Sequence, residues 1–438
     1  MNNQARETQY KFGLWTLVAL VVGNAVGAGI YTTSGFSLAD LGRPEWVILA
    51  WVVAGLVALS GALSYGMLSQ RLTESGGEYL FLSRSIHPVA GFIAGWISLL
   101  AGFPGAIAFA ASAFESYLRD ALTEVQAMAL IAHDSLALAI ILLAGLVHMV
   151  RVQAGAKLHE YIVVAMVAIL IVVIALGGLK AIALTPQING MVESDSFSLF
   201  AFANSLVWIS LSYSGFNAAA YVAGEVKKPE VTVMRGMVIG TLATMFLCVA
   251  LNSIMMFGVP AALTAGQANI ATISAQFLGG DIAKRCMELV IAVSLLTSIT
   301  AMVLAGPRVY AKMAEDGALP RVFAAKAGEP PRAAIVLQVV LAVMLVVISD
   351  LRGLLSYLGL TLSLCLALAV SSLFVRHLRM GEKPQSIWYP FAPAVFVTST
   401  VLFATLSAID QPIKLLAVLP TIGLGVAAYF VSRRMNRV

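Results

Sequence analysis

Apolar runs such as VILAWVVAGLVALSGALSYGML at 47–68 and YIVVAMVAILIVVIALGGL at 161–179 constrain this chain more than any other feature. A helix of about 20 residues spans the roughly 30 Å hydrocarbon core of a bilayer. Backbone groups there find no water, so only helices or closed barrels survive, and runs this long without alternation exclude a barrel. Hydrophobic residues make up 60% of the 438, and charged residues 11%, against roughly 25% charged in a soluble domain. A soluble enzyme is excluded. The pattern predicts an all-α membrane protein whose helices cover 12–36, 44–70, 88–116, 127–150, 157–179, 197–223, 235–259, 284–313, 333–349, 352–377, 389–409 and 413–432. Twelve such spans leave only short loops, so residues 1–432 are expected to form a single transmembrane domain followed by a basic tail, 433–438.

Cys248, Cys286 and Cys365 lie in or at apolar segments without CxxC spacing, so they are expected to be small apolar filler rather than disulfides or zinc ligands. The first apolar run is too long for a signal-peptide core and no cleavage-like site follows it, so the N-terminus is expected to be retained. The sequence pI is near 9.1, but the basic residues are spread through loops, which points to topology rather than to nucleic acid. Of the 27 Lys and Arg, seven fall on one alternating set of loops: Arg43, Arg119, Lys180, Lys284, Arg285, Arg352 and Lys414. The others, including Lys227, Lys228, Arg376 and Arg437, fall with the termini, which the positive-inside rule then places in the cytoplasm.

Two spans carry residues that an ordinary membrane helix avoids. GNAVGAGIY, 23–31, brings three glycines into the middle of the first span, and SYSGFN, 212–217, sits at similar depth in the sixth. Glycine costs about 1 kcal/mol in a helix interior and tolerates other torsions, so both segments are expected to unwind. The alternative for Gly23 and Gly27 is a GxxxG face for a neighbouring helix. Breaks at corresponding places in two halves of a chain are, however, the mark of a transporter site at a repeat interface. A half-helix beginning after Gly27 and Gly29 suits a carboxylate, and freed carbonyls around Leu211 to Ser214 suit an ammonium; a ligand with both is an amino acid.

At these residues the chain resembles the amino acid–polyamine–organocation superfamily of permeases. TESGGEYLFLSR (73–84), RVQAGAKLHEY (151–161), GEVKKP (224–229) and GPRVYAKMAEDGALPRVF (306–323) are similar to further elements of that family, in family order. The resemblance implies a LeuT-like fold: inverted repeats over 12–180 and 197–377, with two helices appended at 389–432. It implies substrate contacts from Ala25, Gly27, Ala28, Gly29 and Ile30 on the first span and from Leu211, Ser212, Ser214 and Gly215 on the sixth. Two departures stand out: Ala28 lacks the hydroxyl of many relatives, and the positions of an aromatic gate and a nearby tryptophan hold Leu211 and Phe216.

Lys157 begins the apolar run of the fifth span, where an ammonium either snorkels to the interface beside Glu160 or serves function. The resemblance implies that it supplies a fixed charge where sodium-coupled relatives hold sodium, facing Ser294, Thr297 and Ser298 and the backbone near Gly23. Those hydroxyls are also of the kind common at membrane helix contacts. A charged lysine fits exchange; one that loses its proton fits proton coupling. His133, His148, His159 and His377 form no metal spacing and are expected to be structural, and Glu115 and Glu288 are expected to reach water. No GxSxG or P-loop is present, so neither enzyme chemistry nor a cofactor is expected, and no filter-like repeat points to a channel. The expected activity is sodium-independent exchange of neutral L-amino acids across the cytoplasmic membrane, with proton-coupled symport or amino acid/amine antiport as the alternative. Its partners are the amino acid and lipid, with no obligate protein partner and a homodimer left open.

Overall fold

The computed structural model describes residues 12–121, 132–150, 152–184, 197–326, 329–348, 351–384, 386–410 and 415–435. The start of the expected fourth span, the connection between the two expected repeats, Arg151, Lys414 and the end of the basic tail lie outside these residues. Among the described residues every regular element is a helix. The first expected span is two helices, α1 (Leu14–Ala25) and α2 (Ala28–Leu41), followed by α3 (Pro44–Arg71) and a short α4 (Gly77–Ser85). Then α5 (Pro88–Ile97) passes through a π-helical turn, Ser98–Gly102, into α6 (Phe103–Ala121). After α7 (Ser135–Val150) and α8 (Val152–Leu184), α9 (Leu199–Ser212) gives way to a 3₁₀ helix, Ser214–Glu225. The remainder is α10 (Pro229–Phe257), α11 (Ala261–Thr264), α12 (Ile270–Glu315), α13 (Arg332–Ile348), α14 (Leu351–Met380), α15 (Phe391–Asp410) and α16 (Leu415–Met435).

Local chemistry explains several boundaries. Pro44, Pro88 and Pro229 each stand in the first turn of their helices, where the missing amide costs nothing. Gly42 ends α2 at φ 70°, a left-handed cap that favours glycine. α12 is longer than its expected span, 284–313, because an added stretch leads into it through Gly280, whose φ of 72° marks a kink.

Nine stretches of the described residues are long and apolar enough to cross a membrane, and three shorter apolar helices, Ser135–Val150, Arg332–Ile348 and Leu419–Phe430, accompany them. The chain is a multi-pass membrane protein. Its most apolar stretch, Ala156–Ala183, is only 17% buried, whereas that of Ile270–Glu315 is 83% buried. Lipid therefore faces much of α8, while α12 runs through the centre, packed on α1, α2, α6, α8 and α13.

The two interrupted helices pair crosswise. α1 packs on the 3₁₀ helix and α2 on α9, so each half of one lies against the opposite half of the other. A buried polar chain holds α2 to its neighbours: the Trp51 indole of α3 donates to Ser34 Oγ at 2.7 Å, and Ser34 donates to Asn252 Oδ1 of α10 at 2.5 Å. Residues from three of the family-like motifs meet in ion pairs: Arg308 with Glu225 at 2.5 Å, Lys312 with Glu74, and Arg84 with Asp316 at 3.4 Å.

Candidate functional site

The break in α1/α2 is two residues long. Val26 ends α1, and Gly27, in extended conformation, starts α2 without any side-chain cap. The Gly27 amide turns back to the Ala25 carbonyl at 2.9 Å. The first-turn amides of Ala28, Gly29 and Ile30 then have no helical acceptor, as at any helix start, and the macrodipole places partial positive charge there. On the other helix the change is from α to 3₁₀ at Tyr213, not a full unwinding of 212–217. A 3₁₀ run of 12 residues is long for a helix with poorer hydrogen-bond geometry. Leu211 and Ser212 close α9, so their carbonyls belong to the negative end of that helix.

The halves touch through glycines. A Cβ on Gly29 would stand 2.0 Å from Ser212 Oγ and 3.3 Å from Ser212 Cα, and one on Gly215 would stand 2.5 Å from the Ala25 amide nitrogen. Gly29 is therefore required by helix contact, where the sequence suggested close approach of a ligand. A Cβ on Gly27 would sit 3.2 Å from Ser298 Oγ.

A cavity of about 130 Å³ opens at this junction. Asn24, Ala25, Gly27, Ala28 and Gly29 line one side, Leu211, Ser212 and Ser214 another, and Ser298 joins from α12. Two buried polar atoms on its wall, Asn24 Oδ1 and Ser212 Oγ, have no hydrogen-bond partner among the described residues. Ile30 and Gly215 do not line it; the Ile30 side chain belongs to the apolar core. The bulk missing at Leu211 comes from Trp208, one turn earlier, with Phe103 and Phe109 of α6. Phe216 turns away and packs edge-on against Tyr65 and Phe396. Glu78, Asn217 and Tyr221 complete the polar part of the wall.

The three α12 hydroxyls serve different neighbours. Ser298 donates weakly to the Asn24 carbonyl at 3.5 Å, beside the break. Ser294 lies 2.6 Å from the Tyr31 hydroxyl on α2, and Thr297 bonds to the Ser294 carbonyl and faces Met166 Sδ of α8. The structure leaves Lys157 exposed. The gap expected to hold an ammonium contains instead the buried ring of His159: its Nδ1 lies 3.0 Å from Thr300 Oγ1, and a Cβ on Gly23 would meet its Cε1 at 2.7 Å. Thr300 Oγ1 also reaches the Leu296 and Thr297 carbonyls at 3.0 and 2.9 Å, which leaves it able to accept from Nδ1–H. The spacing is the reason: 157 and 159 lie about 200° apart around a helix, so they face opposite ways.

Glu78 is the main omission of the sequence reading, and Trp208 the second. The signal for Glu78 is a single acid in GGEYLFL, 76–82, between two apolar spans.

Comparison with known proteins agrees with this architecture. A family model described as amino acid permease matches residues 12–428. The serine/threonine exchanger SteT of Bacillus subtilis (strain 168) is 24% identical over 419 residues, 93% of each chain. The human cystine/glutamate transporter is 24% identical over 405 residues, covering 90% of this chain and 79% of its own. The human large neutral amino acids transporter small subunit 2 is 23% identical over 431 residues, covering 96% and 80%.

Proposed function

This chain belongs to the amino acid permease family, and from that premise we propose that it is a secondary transporter of neutral L-amino acids that works without sodium and exchanges one amino acid for another. The observation that carries the reading is the cavity wall. Asn24 Oδ1 and Ser212 Oγ are buried and unbonded beside the uncapped start of α2, and a buried polar atom without a partner costs free energy that a ligand can recover. In this reading the substrate carboxylate takes the amides of Ala28 and Gly29, and its ammonium takes the carbonyl end at Leu211 and Ser212. Ala25, Gly27, Ser214 and Gly215 shape the junction. Trp208, Phe103 and Phe109 suit an apolar side chain.

The architecture proposed is twelve crossings with both termini in the cytoplasm, inverted repeats over 12–180 and 197–377, and two added helices at 389–432. Transport follows from rocking of the interrupted helices against a scaffold that contains α12. Gly23, Ser294, Thr297 and Ser298 form the proposed coupling region in place of a sodium ion, with the His159 ring of α8 standing where the Lys157 ammonium was expected.

Uptake of labelled amino acids into proteoliposomes tests this directly. Uptake into vesicles preloaded with unlabelled leucine or serine, unchanged when choline replaces sodium, is expected; strong stimulation by sodium would overturn it. Ser212→Ala is expected to weaken substrate binding about fivefold or more, since a lost hydrogen bond is worth about 1 kcal/mol. Proton coupling is a second reading, favoured by one residue of the cavity, Glu78.

A further inference from the structure

Glu78 is an acid buried to 3% exposure on the wall of the transport cavity, at the start of α4. Its Oε1 accepts three hydrogen bonds, from Tyr65 Oη at 2.7 Å, Asn217 Nδ2 at 2.7 Å and Tyr221 Oη at 2.9 Å. Asn217 Nδ2 also reaches Tyr221 Oη at 2.8 Å. The donors are therefore consistent with one another: Asn217 gives one proton to Glu78 and one to Tyr221, and Tyr221 passes its own to Glu78. None of the three is bound to Oε2.

Lys312, on α12 against Gly76, is paired with Glu74 and Asp316 rather than with Glu78. The groups that act on this carboxyl are Tyr65 of α3, Asn217 and Tyr221 of the 3₁₀ helix, Cys365 of α14 and the Glu78 amide itself. All are neutral at physiological pH, and no basic side chain is among them. An ionised carboxylate buried without a counter-ion is costly, and neutral donors offset only part of that cost. Desolvation accordingly holds the Glu78 carboxyl above the usual glutamate range, against the opposing effect of the tyrosine and asparagine hydrogen bonds. Structural salt-bridge duty is ruled out by the surroundings, and a merely structural hydrogen-bond acceptor would be served as well by glutamine.

We propose that Glu78 is a proton-binding site of the transport cavity, and that a proton taken up there moves with the amino acid. The step is a simple protonation: a proton from water on one side of the membrane adds to Oε2, the carboxylate becomes a neutral acid, and the same O–H bond breaks to release the proton on the other side. Oε1 keeps its three donors throughout, so the network need not rearrange. The 3₁₀ helix that supplies Asn217 and Tyr221 is continuous with the Ser212–Ser214 side of the substrate cavity, which gives proton and substrate occupancy a shared element.

The proposal rests on the reading of the chain as an amino acid transporter and adds to exchange a net, proton-coupled uptake; the test separates the proposal from that reading. In proteoliposomes made with the full chain, net uptake of labelled substrate into empty vesicles is compared with and without an inward proton gradient, across external pH 5 to 8. Wild type is expected to take up substrate several-fold faster with the gradient, falling as external pH rises through the Glu78 titration. Glu78→Gln is expected to bring the ratio of gradient to no-gradient uptake close to one, a ratio that cancels general losses of turnover. Tyr65→Phe and Tyr221→Phe each remove a donor that favours the charged form, so the midpoint of the pH profile moves upward in both. A wild type that ignores the gradient, a glutamine variant that keeps the wild-type ratio, or phenylalanine variants with an unmoved midpoint would each overturn the proposal. Equal loss of binding at every pH in the glutamine variant, with unmoved midpoints, would make Glu78 an ammonium contact instead. Absence of any amino acid flux in wild type would sink the transporter reading itself.

Discussion

Gly29, Gly23 and His159 show how one atom decides each contact at the interruption. Adding a methyl at Gly29 puts carbon on the Ser212 side chain, so Gly29→Ala is expected to cost about 1–3 kcal/mol through overpacking. Because the nearest atom is the movable hydroxyl oxygen, Ser212→Gly in the same chain should recover much of the lost thermal stability in detergent. Failure of that rescue would mean the glycine serves the ligand rather than the helix. On α8, Lys157→Met is expected to leave exchange within about twofold of wild type, as for an exposed charge of small energetic weight. His159→Ala leaves a cavity against Gly23 and orphans no donor of Thr300, yet removes the ring that spaces α1 from α12, and exchange should fall at least tenfold. The reverse ranking would return the coupling role to the lysine. Only a side-chain direction separates these two residues, and a single sequence without depth information weighted the charge instead.

Elements were easier to foresee than their ends. GNAVGAGIY announced a break, because three close glycines each cost about 1 kcal/mol of helix propensity, and the break came at Val26 and Gly27. SYSGFN announced one too, but there the chain kept its hydrogen bonds by tightening to a 3₁₀ helix, which composition does not distinguish from unwinding. Replacing Val26 and Gly27 with Leu-Ala should let α1 and α2 fuse, abolishing exchange while insertion into the membrane persists, as judged by expression and by elution as a monodisperse particle. The link between α2, α3 and α10 is separately testable. Asn252→Ala strands the Ser34 hydroxyl proton while the Trp51 indole keeps Ser34 Oγ as its acceptor, and is expected to lower stability by about 1–2 kcal/mol, the scale of polar contacts between membrane helices.

At the scale of the whole molecule, charge placement predicts orientation. Cys286 is exposed and follows Lys284 and Arg285, two of the seven basic residues that the charge count assigns opposite the termini, whereas Cys248 is buried. In intact cells a membrane-impermeant maleimide is therefore expected to label Cys286 in a chain with Cys365 replaced by serine. Labelling only after permeabilisation would invert the topology. The ion pairs joining residues 74, 84, 225, 308, 312 and 316 gather motifs that are up to about 240 residues apart, so the loops that looked like separate signatures form one end of the protein.

Length of the apolar runs, the scarcity of charge and the position of the two glycine- and serine-bearing interruptions were set by the sequence alone, because a bilayer allows a backbone only one economical answer over 20 residues. Which side chains meet at the interruption was a tertiary matter. Helix rotation hid Lys157's exposure and His159's burial, and folding drew a loop glutamate beside Asn217 and two tyrosines on the cavity wall. A residue's depth and its partners depend on helices far away in the chain, so periodicity could name the broken helices but not the acid placed between them.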